Sequence, residues 1–312
     1  AIPGEWRPPM TAAACARLRH DFCDVWTQLH ADAFYGRMQT WCRKHNLWLT
    51  GHVGGEHDLA NHATKLFGHF FRVMRFLDIP GVDTIWRQIF PGQPSGSFSK
   101  LASSAAHLDN KRMTISESFA VYGYGLTFSQ MKWVTDRQYA DGVNVMAPMA
   151  AHASSTKGRA YCTMSNLAWG NPQWPLFRHY ADYVGRLSCL LRRGRSVAHV
   201  ALLYPAASLW CGVESERVTR NCQETAEALR SRQLDFDYID EDHLARATIA
   251  QGTIRIGCQS YGSLVLTHGV MLSWKVLRKI RQLREQGGRV LAAGGLPELC
   301  AEERHQQNFD RT

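Results

Sequence analysis

Two acids in this chain sit where chemistry could be done. Glu117 follows the strand-like run RMTIS (112–116) and precedes SFAVYGYG (118–125), a loop of glycine and tyrosine. A carboxylate at a strand end among aromatic rings loses part of its hydration, which poises it as an acid or base. Glu56 lies in TGHVGGEHD (50–58), just past a different short strand, with His52, His57 and Asp58 close by. Two carboxylates facing one pocket are the equipment for splitting a glycosidic bond. One protonates the leaving oxygen, while the other activates water or attacks the anomeric carbon. A competing reading of 52–58 is a metal centre, because two His and two acids suit zinc or a similar cation. The spacing His52-x-x-x-Glu56-His57 matches no metal-binding helix motif, so any metal stays unknown.

Around these acids stand candidate substrate-binding residues. His52 is read as an orienting or substrate-contacting group. Asp78, before the turn-forming IPG, either bonds substrate or caps a turn. Tyr122 stacks on a sugar ring or packs its own loop, and His152, ending APMAAHAS (147–154), holds a hydroxyl. Trp169, in NLAWGNPQWP (166–175), offers a flat platform. Glu117 also has a bland alternative, as a capping or salt-bridging residue. There is no phosphate-binding Walker loop and no G-x-S-x-G elbow, and Gly294–Gly295 fall far short of a dinucleotide fingerprint.

The elements that must position these groups alternate. Asp21–Cys42 has apolar residues at helical spacing, from Phe22 and Val25 to Trp41. Strands are expected near 47–53, 76–79, 112–116 and 143–147. Helices are expected near 60–75, 98–108, 127–141 and 174–193, with Thr127 as an N-cap and Gly142 as a C-cap. Such alternation implies parallel strands with helical crossovers. In a barrel of this kind Glu56, Glu117 and His152 would share the C-terminal face. Four βα units are half of an eight-stranded barrel, which takes ~250 residues. Residues 1–195 are therefore expected to be a partial (β/α)8 barrel, the C-terminal half, from a longer protein; an open four-stranded domain is the rival. Beyond Gly194, VAHVALLY (197–204), SLVLT (263–267) and RVLAA (289–293) alternate with amphipathic helices. Residues 196–312 are thus expected to form a flavodoxin-like or amidotransferase-like Rossmann-type α/β domain, non-catalytic and, like the barrel, cut short.

Composition sets broad limits. The chain has 312 residues, 45% hydrophobic and 20% charged, with ten Trp, ordinary for a folded α/β protein. The net charge of +9 is scattered, and no nucleic-acid-binding signature accompanies it. No run of 18 apolar residues exists, so no membrane span is expected. Nine Cys without a CxxC pair read as reduced, buried thiols, including Cys42, Cys189 and Cys258. AIPGEWRPPM shows no signal pattern, and the cellular address stays open, cytoplasmic or secreted.

Taken as an ordered set, residues 116–154, TGHVGGEHD and NPQWPLFRHYADYVGRLSCLLRRGRSVAHVALLYP (171–205) resemble glycoside hydrolases of family 106, the α-L-rhamnosidases. The barrel followed by a Rossmann-like domain is also similar to family 42 β-galactosidases. The resemblance implies hydrolysis of rhamnosides or related polysaccharide linkages, with inversion and with calcium as a cofactor left open. It implies Glu117 and Glu56 as the catalytic pair, His152 at the substrate, and a carbohydrate as the partner; oligomerisation is left open. The alternative function is a carbohydrate-binding or scaffold protein that keeps the glycosidase fold without turnover.

Overall fold

The computed structural model describes residues 10–92, 96–151, 165, 167–168 and 171–311. It opens with α1 (Ala12–His30), whose first turn is capped by the Thr11 side chain accepting from Ala14 N. A π-helical turn, Ala31–Gly36, leads into α2 (Arg37–Lys44). The helix expected over 21–42 is therefore present, but its apolar stripe is not its inner face. Phe22, Val25, Leu29 and Trp41 are exposed, while Ala16, His20, Thr27 and Ala31 are buried. Helical spacing identifies a face without saying which neighbour covers it.

The first sheet runs β1 (Thr50–Gly51), β2 (Ile79–Thr84), β3 (Ile115–Ser118) and β4 (Val145–Pro148), all parallel and in that order. Between the strands lie α3 (Leu59–Lys65) and α4 (Phe70–Met74), then α5 (Ser99–Leu108), then α6 (Phe128–Ala140). After β4 comes α7 (Phe177–Leu191). Thr127 caps the start of α6, as the sequence predicts, and Gln130 completes a reciprocal capping box with it.

One correction concerns IPGVDT (79–84). Its Pro and Gly read as a turn, yet it is β2, an interior strand. Pro80 pairs with Gly51 of the two-residue β1, where little ladder is lost. Gly81 is required by close approach: a Cβ there would lie 2.5 Å from Gly51 O and 2.6 Å from Ile115 Cγ2. The strand expected at 76–79 is displaced accordingly.

The second sheet takes β5 (Val200–Leu203), β6 (Phe236–Ile239), β10 (Ser263–Leu266) and β12 (Arg289–Ala292), parallel in the order β12-β10-β5-β6. Its helices are α8 (Ala206–Trp210), α9 (Ser215–Ser231), α10 (Glu241–Arg246), α11 (Trp274–Glu285) and α12 (Gln306–Asp310). An antiparallel meander not anticipated from sequence, β7 (Thr248–Ala250), β8 (Thr253–Ile256) and β9 (Gln259–Tyr261), follows α10. Its first turn places Gln251 and Gly252 both at positive φ, the geometry tight hairpins favour. A short parallel pair, β11 (Met271–Leu272) with β13 (Leu299–Cys300), completes the fold.

Helix α5 packs against both β2 and β6, so its sequence SKLASSAAHL is small-residue and almost wholly buried. Polar stitches cross this seam. Lys100 Nζ donates to Asp235 at 2.7 Å, His107 Nδ1 to Asp237 at 2.8 Å, and Tyr238 N to Ser104 Oγ at 2.9 Å. One continuous hydrophobic core spans both sheets. Eight cysteines among the described residues are free thiols. Cys189 and Cys258, expected to be buried, are exposed instead, whereas Cys211, Cys222 and Cys300 lie in the interior. Among the described residues no helix is long and apolar enough to cross a membrane.

Candidate functional site

The site begins with a glycine turn. Gly54 and Gly55 adopt φ of +81° and +76°, a conformation that side-chain-bearing residues resist. The turn brings the Glu56 carboxyl back over its own backbone, where Oε1 accepts from Val53 N at 3.2 Å and Gly54 N at 3.0 Å. Glu56 is only 1% exposed. Burial first, and the neighbouring Asp83 second, push its pKa up to about 8, so at neutral pH it holds its proton. Behind it, His62 Nδ1 donates to Gly54 O at 3.3 Å. Burial lowers the His62 pKa to about 4 and keeps the ring neutral.

Strands β2 and β3 supply the opposite wall. Side chains alternate along a strand. Thr84, Ser116 and Ser118 form a hydroxyl cluster with Gln138 of α6. Asp83 and Glu117, register partners on β2 and β3, project from the other face. His52 joins the two walls: Nε2 donates to Glu117 Oε2 at 3.0 Å, and Nδ1 lies 3.7 Å from Asp83 Oδ2. One donor atom each from His52, Glu56 and Asp83 lies within 4.8 Å of the others. His52 Nδ1, Glu56 Oε2 and Asp83 Oδ1 are buried without a partner. Glu117 is the accessible member, with a side chain 33% exposed.

These groups set a buried, protonated carboxyl beside an accessible carboxylate steadied by an imidazole. They do not make a calcium cage. Calcium takes six to eight oxygen ligands, whereas this cluster offers two carboxyls and a ring nitrogen, a mixed set that suits borderline cations better.

Glu56, Glu117 and His52 come together. Asp78 does not join them: it precedes β2, at the end remote from Asp83, and its Oδ2 accepts from Leu49 N at 2.8 Å. It ties backbone together instead of facing the pocket. Tyr122 is likewise no open platform. It is fully buried, and its hydroxyl donates to Ile89 O at 2.7 Å. Asp58 caps α3 by accepting from Asn61 N at 3.1 Å. His152 and Trp169 lie outside the described residues. Asp83 joins the site without a role expected from the sequence, because Pro80 and Gly81 make the stretch before it read as a turn. Its signal was alternation with Val82 and Thr84 in a strand that Pro80 and Gly81 disguised.

Comparison with known proteins bears on the family and the fold. A family model described as alpha-L-rhamnosidase, glycoside hydrolase 106, matches residues 10–310. Among solved structures, a rhamnosidase from Novosphingobium sp. PP1Y aligns with TM-score 0.68 and 19% identity, over 94% of this chain and 27% of that one. A β-galactosidase from Bacillus circulans sp. alkalophilus aligns with TM-score 0.61 and 16% identity, over 96% of this chain and 44% of that one. A cold-adapted β-galactosidase from Rahnella sp. R3 gives 0.59 and 15%, over 91% and 42%. At these identities the likeness is one of fold, a curled parallel sheet like those of glycosidase barrels. The chain spans about a quarter to under half the length of these structures. Among curated proteins, none matches the sequence.

Proposed function

Because the chain belongs to the glycoside hydrolase 106 family of α-L-rhamnosidases, matched over residues 10–310, we propose that it cleaves O-glycosidic bonds, with α-L-rhamnosides as substrate, using Glu56 and Glu117. Glu56 is the general acid, protonating the leaving oxygen. Glu117 is the general base, drawing a proton from the attacking water while His52 Nε2 holds its other side. An imidazole lies between the two walls, with one nitrogen bonded to Glu117 and a donor atom clustered with Glu56. Inversion is what the family resemblance implies, and it calls for carboxyls ~6.5–9.5 Å apart, against the ~5 Å of retaining enzymes. The observation carrying this reading is the split environment: one carboxyl buried and held protonated, the other accessible. Such a split is how two acids take opposite roles at one pH.

The β1–β4 sheet supports the reading of residues 1–195 as part of a (β/α)8 barrel. The order β12-β10-β5-β6, with β5 flanked by β6 and β10, supports a flavodoxin-like second domain. The test is turnover of aryl α-L-rhamnosides and aryl β-galactosides by Glu117→Gln and Glu56→Gln in the full-length protein, with the product anomer followed by NMR. Loss of turnover in both variants and an inverted first product are expected. Unchanged turnover in both overturns the assignment. The second reading is a carbohydrate-binding protein without turnover, which the 1% exposure of Glu56 favours. Rhamnoside binding with no hydrolysis by the native protein would establish it.

A further inference from the structure

A cleft of about 860 Å³ opens beside the catalytic loop, between α6 of the first sheet and α9 of the second. It shares His57 with that loop. Gln223 of α9 donates to His57 O at 3.1 Å, and Gln88 donates to His57 Nδ1 at 2.9 Å. Gln88 is itself aimed by Ile85 N donating to its Oε1 at 3.0 Å. The residue next to Glu56 is therefore the rim of the cleft. Trp133, 41% exposed, lines it from the first half of α6. That helix begins where the chain leaves the C-terminal end of β3, the end that carries Glu117.

The lining chemistry selects among ligands. An exposed indole offers a flat apolar face. Arg230 and Glu224 line the same cleft, offering planar donors and acceptors that can bridge neighbouring hydroxyls. The charges are mixed and partly paired, Arg230 with Glu227 and Arg137 with Asp141. That disfavours a polyanion or a cation and suits a neutral polyhydroxyl chain. The volume falls in the ~300–1,000 Å³ range of small-ligand sites, room for roughly two or three sugar rings.

We propose that this cleft is an accessory saccharide subsite, holding residues of an oligosaccharide away from the bond cleaved at Glu117. The proposal rests on the glycosidase reading above, and its test separates the two. α-Linked rhamno-oligosaccharides of four to six residues are titrated by calorimetry into Glu117→Gln and into Glu117→Gln combined with Trp133→Ala. Kinetics are run in parallel on Trp133→Ala and Arg230→Ala, with the same oligosaccharides and with a single-ring aryl rhamnoside too short to reach the cleft. Trp133→Ala should weaken oligosaccharide binding about tenfold and raise the oligosaccharide KM similarly, leave the aryl rhamnoside unchanged, and be partly rescued by Trp133→Phe. Oligosaccharide affinity equal with and without Trp133 overturns the subsite. Full turnover by Glu117→Gln overturns the catalytic assignment instead, whatever the binding shows.

Discussion

Glu56→Gln should make the protein more stable and less active at the same time. The native carboxyl is 1% exposed and has its pKa pushed up to about 8, by burial and then by Asp83; in the unfolded chain it returns to 4.5. Between those values the folded state binds the extra proton, so wild-type stability is full below pH 4.5 and falls as pH rises towards 8. At about 1.4 kcal/mol per pH unit, the loss is about 3 kcal/mol by pH 7 and about 5 kcal/mol by pH 8. Glutamine keeps an oxygen to accept from Val53 N and Gly54 N, offers its amide to Asp83, and never ionises. The variant should therefore match wild type near pH 4 and exceed it by about 3 kcal/mol at pH 7. Removing a general acid should meanwhile cost ~10²–10⁴ in kcat. Urea unfolding followed by circular dichroism at pH 4, 7 and 8.5, beside turnover of an aryl rhamnoside, reads both effects. A variant that loses stability at pH 7, or that keeps the wild-type slope between pH 4.5 and 8, would show that the carboxyl is not buried as an acid.

Other expectations follow from the same geometry. Glu117→Gln should lower aryl rhamnoside turnover by ~10²–10⁴ with a stability change within ~0.5 kcal/mol, since the side chain is partly exposed. Gly81→Ala should destabilise by roughly 1–3 kcal/mol in urea melts, because its methyl meets Gly51 O and Ile115 within 2.6 Å. Thr127→Ala removes a capping box and should cost about 1 kcal/mol by the same assay. His243 resists the lowering effect of burial because Asp240 and Asp109 raise its pKa to about 9. Its contribution, about 3 kcal/mol, should be full below pH 6.5 and lost as pH rises through 9. His243→Gln should flatten that alkaline limb of the stability profile.

Legible in the chain alone were the alternation of strands and helices, the Thr127 cap and the placing of Glu117 at a strand end and Glu56 in the loop after another strand. Each is a local matter: periodicity, φ preference or capping chemistry acting within a few residues. It also carried the family, through an ordered set of short motifs. Tertiary structure decided what meets what. Pro80 and Gly81 look like a turn until Gly51 and Ile115 are seen to press against them, and only then does Asp83 land opposite Glu117. Tyr122 looks like a platform until Ile89 takes its hydroxyl in the core, and Asp78 looks like a ligand until Leu49 N claims it. The meander after α10 depends on a hairpin turn that only pairing reveals. His52 becomes the link between Glu117 and the Glu56–Asp83 pair because three strands lie side by side, and His57 becomes a shared rim because α9, 166 residues further along the chain, folds back against it. Burial and long-range contact are properties of packing, and packing sums over partners that no local stretch of chain contains.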